Sequence, residues 1–201
     1  MDVVDRLTRA AEEGDAASVT QSLDAGAEVD AVGTAGRTSL DLAVHAGHAR
    51  IVRVLLAAGA DPRQPAGEYS ELTPMCLAAM YGHTAVVGAL LDAGAPIGAQ
   101  GRRSYVPLVL AATSVERGHL ETVDLLLRHG ADINGTMKGK TPLEWAAAFG
   151  QVSVVRQLLA RGATPTAKAL NEARAGAERH PRNAEKYRLV NDALHAAGVE
   201  D

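Results

Sequence analysis

Apolar residues return along this chain in paired short blocks. Leu40, Leu42 and Ala43 form one block, Gly47-His48 interrupts it, and Ile51, Val52, Leu55 and Leu56 then recur on one helical face. This spacing predicts two short helices separated by a glycine. The alternation recurs down the sequence. A Gly-Ala pair closes an apolar run at Gly26-Ala27, Gly59-Ala60, Gly94-Ala95, Gly130-Ala131 and Gly162-Ala163, at spacings of 33, 35, 36 and 32 residues. A second glycine precedes each run, at Gly14, Gly47, Gly82, Gly118 and Gly150, and histidine follows it at His48, His83 and His119. Two markers sharing one period define a repeat, and each unit reads as a hairpin of helices.

The unit has readable punctuation. Gly47, Gly82 and Gly150 suit a left-handed residue ending the first helix, and Gly59, Gly94, Gly130 and Gly162 suit the same task after the second. Thr38, Thr73 and Thr141 read as N-caps, two of them followed by Pro74 and Pro142 at the first helical position, where no amide donor is needed. Ala43, Ala78, Ala79, Ala111, Ala112, Ala146 and Ala147 are expected to face neighbouring helices, where a short side chain lets backbones approach.

The segments GRTSLDLAVHAGHARIVRVLLAAGADP, LTPMCLAAMYGHTAVVGALLDAGAPI, VPLVLAATSVERGHLETVDLLLRHGADIN and KTPLEWAAAFGQVSVVRQLLARGATP resemble successive ankyrin repeats. Four good copies run over 33–166, after a degenerate unit at 1–32 and before a divergent C-terminal helix pair at 167–201 that has lost the Thr-Pro opening. The resemblance implies an all-α solenoid of stacked helix-turn-helix units. It also implies β-hairpin loops projecting around 33–37, 68–72, 101–105 and 136–140, with loop tips and first helices lining a concave groove. His48, His83 and His119 would then brace the turns through a ring nitrogen.

Two places depart from the repeat. Thr113–His119 holds three residues more than its counterpart Met80–His83, which reads as an extended or bulged first helix, and 61–75 makes a long connection broken by Pro62, Pro65 and Gly67. Scaffold positions recur while recognition positions vary, so the variable tips and helix ends are the candidate protein-binding residues: Arg37, His45, Tyr69, Leu72, Met80, Tyr81, Arg102, Arg103, Tyr105, Met137, Lys138, Lys140 and Phe149. The last two tips are basic, which points to a protein or peptide partner with an acidic element. The bland alternative is that these cations only solubilise loops while Phe149 or Tyr81 seals a neighbouring layer.

Composition narrows the chemistry. Aromatics are 3% of 201 residues, the formal net charge is −4, and the halves differ, residues 1–100 carrying net −7 and residues 101–201 net +3. That argues against a nucleic-acid coat, although Arg174, Arg179, Arg182, Lys186 and Arg188 give the tail a basic surface. No leader or membrane-spanning run is read in the sequence, and one cysteine suits a reducing compartment, so the expected location is cytoplasmic. The frequent alanine, arginine and glycine point to a GC-rich, bacterial gene.

No catalytic constellation is evident, and no phosphate-binding glycine motif occurs. Asp41 and His45 read as a surface pair, Cys76 as an inert semi-buried thiol, and Trp145 as an enlarged core side chain in the place of Leu42, Leu77 and Leu110. Asn183 is expected to cap a last helix reaching about Ala197. The expectation is a noncatalytic binding module without cofactor or metal, favoured as a monomer. The competing readings are an enzyme or small-molecule protein with an adapted groove, and a structural homo-oligomer.

Overall fold

In the computed structural model the residues described are 2–64, 72–101, 103–114 and 118–200. They form two units, Met1–Arg103 and Ser104–Asp201, each a stack of helix pairs. The first unit contains α1 (Val3–Glu13), α2 (Ala16–Asp24), α3 (Ser39–His45), α4 (Ala49–Ala57), α5 (Pro74–Tyr81) and α6 (Thr84–Asp92). The second contains α7 (Pro107–Ala112), α8 (Leu120–Arg128), α9 (Pro142–Ala148), α10 (Val152–Ala160), α11 (Ala167–Arg179) and α12 (Ala184–Ala196), with a 3-10 turn at Pro181–Asn183.

Within each unit the odd-numbered helices pack in one row and the even-numbered helices in another. Leu7, Ile51, Leu55, Met75 and Leu90 are fully buried in the first unit, and Leu108, Leu126, Leu143, Leu158, Leu170 and Leu194 in the second. Ala43, Ala78, Ala79, Ala111, Ala112, Ala146 and Ala147 expose no surface, so the alanine-rich first helices are wedged between neighbours. Leu125 remains half-buried while adjacent Leu126 is fully enclosed.

Caps set the helix starts. The Thr38, Thr73 and Thr141 side chains accept the amides of Asp41, Cys76 and Glu144. At α9 the Glu144 carboxylate returns the favour by accepting the Thr141 amide at 3.0 Å, completing a capping box. Although alanine and not proline follows it, Thr166 still caps α11 by accepting the Ala169 amide at 3.1 Å. Asn183 makes no side-chain cap for α12, because the 3-10 turn already leads the chain into that helix.

Among the described residues the projecting β-hairpins implied by the family resemblance do not form, and most of the expected tip at 68–72 lies outside those residues. Among the described residues there is no strand; isolated antiparallel bridges join Val32 to Thr38 and Met137 to Lys140. The reason lies on both flanks. Thr38 is already an N-cap and Lys140 immediately precedes one, while upstream the chain turns through the Gly135 amide bonded to the Asp132 carbonyl. One bridge exhausts the backbone left between these commitments, so pairing cannot propagate.

The extra residues near 113 do not lengthen the first helix either. The α7 helix has six residues against eight in α5 and seven in α9. The helix ends at Ala112, where the Thr113 hydroxyl donates back to the Val109 carbonyl at 2.9 Å and the His119 amide donates to Ala111 at 2.9 Å, and residues 115–117 of the insertion lie outside the described residues. Much of the long connection after Asp61 lies outside the described residues. Among those described, no helix is long and apolar enough to cross a membrane.

Candidate functional site

The positions proposed for recognition separate into two groups, one in each unit. In the first unit Arg37 stands just before the Thr38 cap and its Nε lies 2.5 Å from Oδ2 of Asp41, itself only 4% exposed. The arginine is therefore tied down beside the helix start, and Asp41 pairs with it. This differs from the expected surface pair of Asp41 with His45. The tip ahead of Arg37 is held as well, since the Thr34 amide donates to Asp5 at 2.9 Å and holds that carboxyl below the usual range.

At the other end of these helices His45 and Tyr81 are exposed and meet edge to face, with ring centroids 5.1 Å apart. Tyr81 also stacks with His83 at 5.8 Å. Met80, next to Tyr81, and Leu72, just before the Thr73 cap at the start of α5, are half-buried, and Arg103 is exposed. Tyr69 and Arg102 lie outside the described residues.

The second unit builds a denser group around a two-residue turn. Met137 and Lys140 exchange amide-to-carbonyl hydrogen bonds of 2.9 and 3.2 Å across Lys138 (φ 51°) and Gly139 (φ 73°), both in the left-handed region. Glycine takes that conformation readily, whereas lysine is strained in it. Lys138 is exposed and Met137 buried, so the turn points one side chain outward and one inward. Tyr105, at the preceding tip, is half-buried.

Trp145 organises the rest. Its indole Nε1 donates to the Met137 carbonyl at 2.9 Å, its ring lies 5.0 Å beneath the Lys140 ammonium, and Phe149, 49% exposed, stacks on it at 6.1 Å. Trp145 is thus half-buried at the edge of α9 and is not the core side chain expected. Its shift outward follows from the indole N–H, which needs an acceptor that the apolar interior of a repeat does not supply. The sequence did carry a signal: Trp145 and Phe149 are four apart, hence on one helical face, and Trp145 follows Lys140 closely.

Charge at this turn is largely compensated. Lys140 Nζ lies 2.7 Å from Glu172, and Lys168 Nζ lies 3.0 Å from Glu144 and also donates to the Gly139 carbonyl at 2.5 Å. The basic character read in the sequence therefore falls mainly on Lys138. Cys76 is buried with its thiol pushed up to about 11 by desolvation, and it accordingly lacks the thiolate a nucleophile needs. Among the described residues no group of three or more His, Cys, Asp or Glu side chains is placed to hold a metal ion.

One further set of side chains recurs. His48 Nε2 lies 3.0 Å from the Glu12 carbonyl oxygen and His83 Nε2 3.1 Å from that of His45, each binding a helix pair to the one before it. In the second unit Gln151 takes this role and donates to Ser114 at 2.6 Å. The amide substitutes for imidazole because either supplies one N–H at the right reach.

The family model for ankyrin repeats (three copies) matches residues 7–101 and 100–169. The chain is 41% identical over 88 residues to a transient receptor potential cation channel subfamily A member 1 homolog of Caenorhabditis elegans, covering 44% of this chain and 7% of the relative. It is 32% identical over 155 residues to Inversin of Canis lupus familiaris, covering 74% and 14%. Against the ankyrin repeat protein nuc-2 of Neurospora crassa it is 29% identical over 154 residues, covering 76% and 14%. The chain thus spans a small fraction of the length of these relatives.

Nematode, mammalian and fungal relatives overturn the expectation of a bacterial gene. Alanine and glycine are frequent because helix pairs stack closely and end in left-handed turns, so composition reports the architecture and not the genome. With its capped helix pairs, buried alanine rows and repeat period, and with the family match extending from residue 7 to 169, the chain belongs to the ankyrin-repeat family, and this stretch is an ankyrin-repeat protein-interaction module.

Proposed function

We propose that the second unit binds its protein or peptide partner at the turn and helix end formed by Lys138, Lys140, Trp145 and Phe149, and that His45 and Tyr81 provide a separate contact in the first unit. The observation carrying this reading is Phe149. It stacks on an oriented indole and yet exposes 49% of its surface in a chain where aromatics are scarce. A rigid aromatic at the surface offers contact area at low conformational cost, as binding anchors do.

An acidic element in the partner is supported by Lys138, which is exposed at the tip of the turn, whereas Lys140 and Lys168 already face carboxylates. Such a contact would add salt-dependent steering more than affinity. The proposed setting is the cytoplasm, supported by a single cysteine kept as a buried thiol.

The test is affinity capture from source-cell extract with the unaltered chain, with Phe149→Ala combined with Lys138→Glu, and with Arg50→Ala as an exposed control elsewhere. A protein retained by the first and third but lost with the second supports the site. Equal retention by all three, with circular dichroism unchanged, sinks it.

A further inference from the structure

Lys140 occupies a position that has the composition of a binding site. Its ammonium lies 2.7 Å from Oε1 of Glu172 on α11 and 5.0 Å over the face of Trp145 on α9. A carboxylate and an indole face converging on one cation are the two groups that recognise an ammonium, by ion pairing and by the negative face of the ring. Both are partly withdrawn from water, the Glu172 side chain being 18% exposed, so the attraction is less screened than at an open surface.

The site is also held in shape. The Trp145 indole N–H is fixed to the Met137 carbonyl and its ring is stacked against Phe149, so the indole face needs no reordering to receive a ligand. Phe149, stacked on Trp145, extends this aromatic surface into solvent. An incoming chain with an apolar stem and a cationic end would lay its stem on Phe149 and bring its head to Trp145 and Glu172, as Lys140 does from within.

We infer that Glu172, Trp145 and Phe149 form a receptor for a lysine side chain of the partner, and that Lys140 is a built-in competitor that occupies it in the free protein. This rests on the reading that the partner docks at the α9 end. Lys140 is tethered at the turn, so its effective concentration is high and a free lysine competes with it at a disadvantage that a lysine presented by a docked partner does not suffer. When it is displaced, the Lys140 ammonium is released beside Lys138, where it meets the acidic element of the same partner.

The test uses Trp145 fluorescence, the single tryptophan reporting the site directly. The full chain and Lys140→Met are titrated with Nα-acetyl-lysine amide, and Nα-acetyl-norleucine amide serves as the uncharged probe of equal stem. Lys140→Met is expected to bind the lysine probe about tenfold more tightly than the unaltered chain and to ignore norleucine. Adding Glu172→Gln should abolish the response. Equal affinity in the unaltered chain and the variant overturns the inference, as does an equal response to norleucine or a response that survives Glu172→Gln. Lys140→Gln repeats the comparison if Lys140→Met fails to fold, as judged by circular dichroism. The capture experiment above leaves Lys140 and Glu172 intact, so loss of the probe response with capture preserved removes this inference alone.

Discussion

The Tyr187 hydroxyl donates to the carbonyl of Ala148 at 3.3 Å, linking α12 to the end of α9 across 39 residues. Its ring fills the space above Gly176 on α11, where an added Cβ would stand 2.3 Å from Cε1 of Tyr187 and 2.8 Å from the Ala148 oxygen. Glycine at 176 is therefore there for contact, since its backbone is ordinary helix.

Gly176→Ala should destabilise the chain by about 1–3 kcal/mol, although the same change in an exposed helix would stabilise it by up to ~1 kcal/mol. Tyr187→Phe removes only the hydrogen bond and should cost about 1 kcal/mol. Urea unfolding of both variants checks the order. Gly176→Ala at or above wild-type stability would refute the close contact.

Gln151→Ala should cost on the order of 1–2 kcal/mol by leaving the Ser114 carbonyl without its donor, whereas Gln151→His should be nearly neutral. Thermal melting followed by circular dichroism distinguishes the two. Equal losses would show that the brace depends on the shape of glutamine and not on its N–H.

Lys138→Asn should raise stability by about 0.5–1 kcal/mol, because asparagine accepts the left-handed conformation with less strain than lysine. The same change removes the exposed cation and should weaken partner binding, most clearly at low salt. A variant more stable and less adhesive would separate folding from recognition at one position.

The Cys76 thiol is held protonated by burial, its pKa raised from 9.0 to about 11. The raised value favours the protonated form in the folded state, so its contribution is complete below pH 9 and is lost as pH climbs towards 11. The stability difference between the unaltered chain and Cys76→Ala should fall by on the order of 2–3 kcal/mol over that interval. Urea titrations of both at pH 8, 9.5 and 10.5 measure it, and a pH-independent difference would contradict the burial.

Leu158→Ala should cost about 2–5 kcal/mol, since the side chain is fully enclosed between α10 and its neighbours. Leu125→Ala should cost distinctly less because Leu125 is half-buried. Chemical denaturation of the two variants provides the comparison.

Period and caps were legible because each depends on residues close in sequence: Thr141, Pro142 and Glu144 announce the start of α9 by themselves. The hairpins failed because family likeness carried over a feature that the backbone between Thr136 and the Thr141 cap has no room to build. Trp145 was misplaced because alignment with Leu42 and Leu77 describes the size of the site and ignores the indole N–H, whose partner at Met137 is set by the turn. Arg37 and Lys140 looked available for recognition since their partners are settled by contact: Asp41 one helical turn away, and Glu172 on another helix, 32 residues on.

The braces from Gln151 to Ser114 and from Tyr187 to Ala148 each fasten a helix pair to the one preceding it. Such fastening gives the second unit a direction under tension. Drawn from its C-terminal end, it would yield first at Tyr187 and only afterwards at Gln151, lengthening in discrete steps.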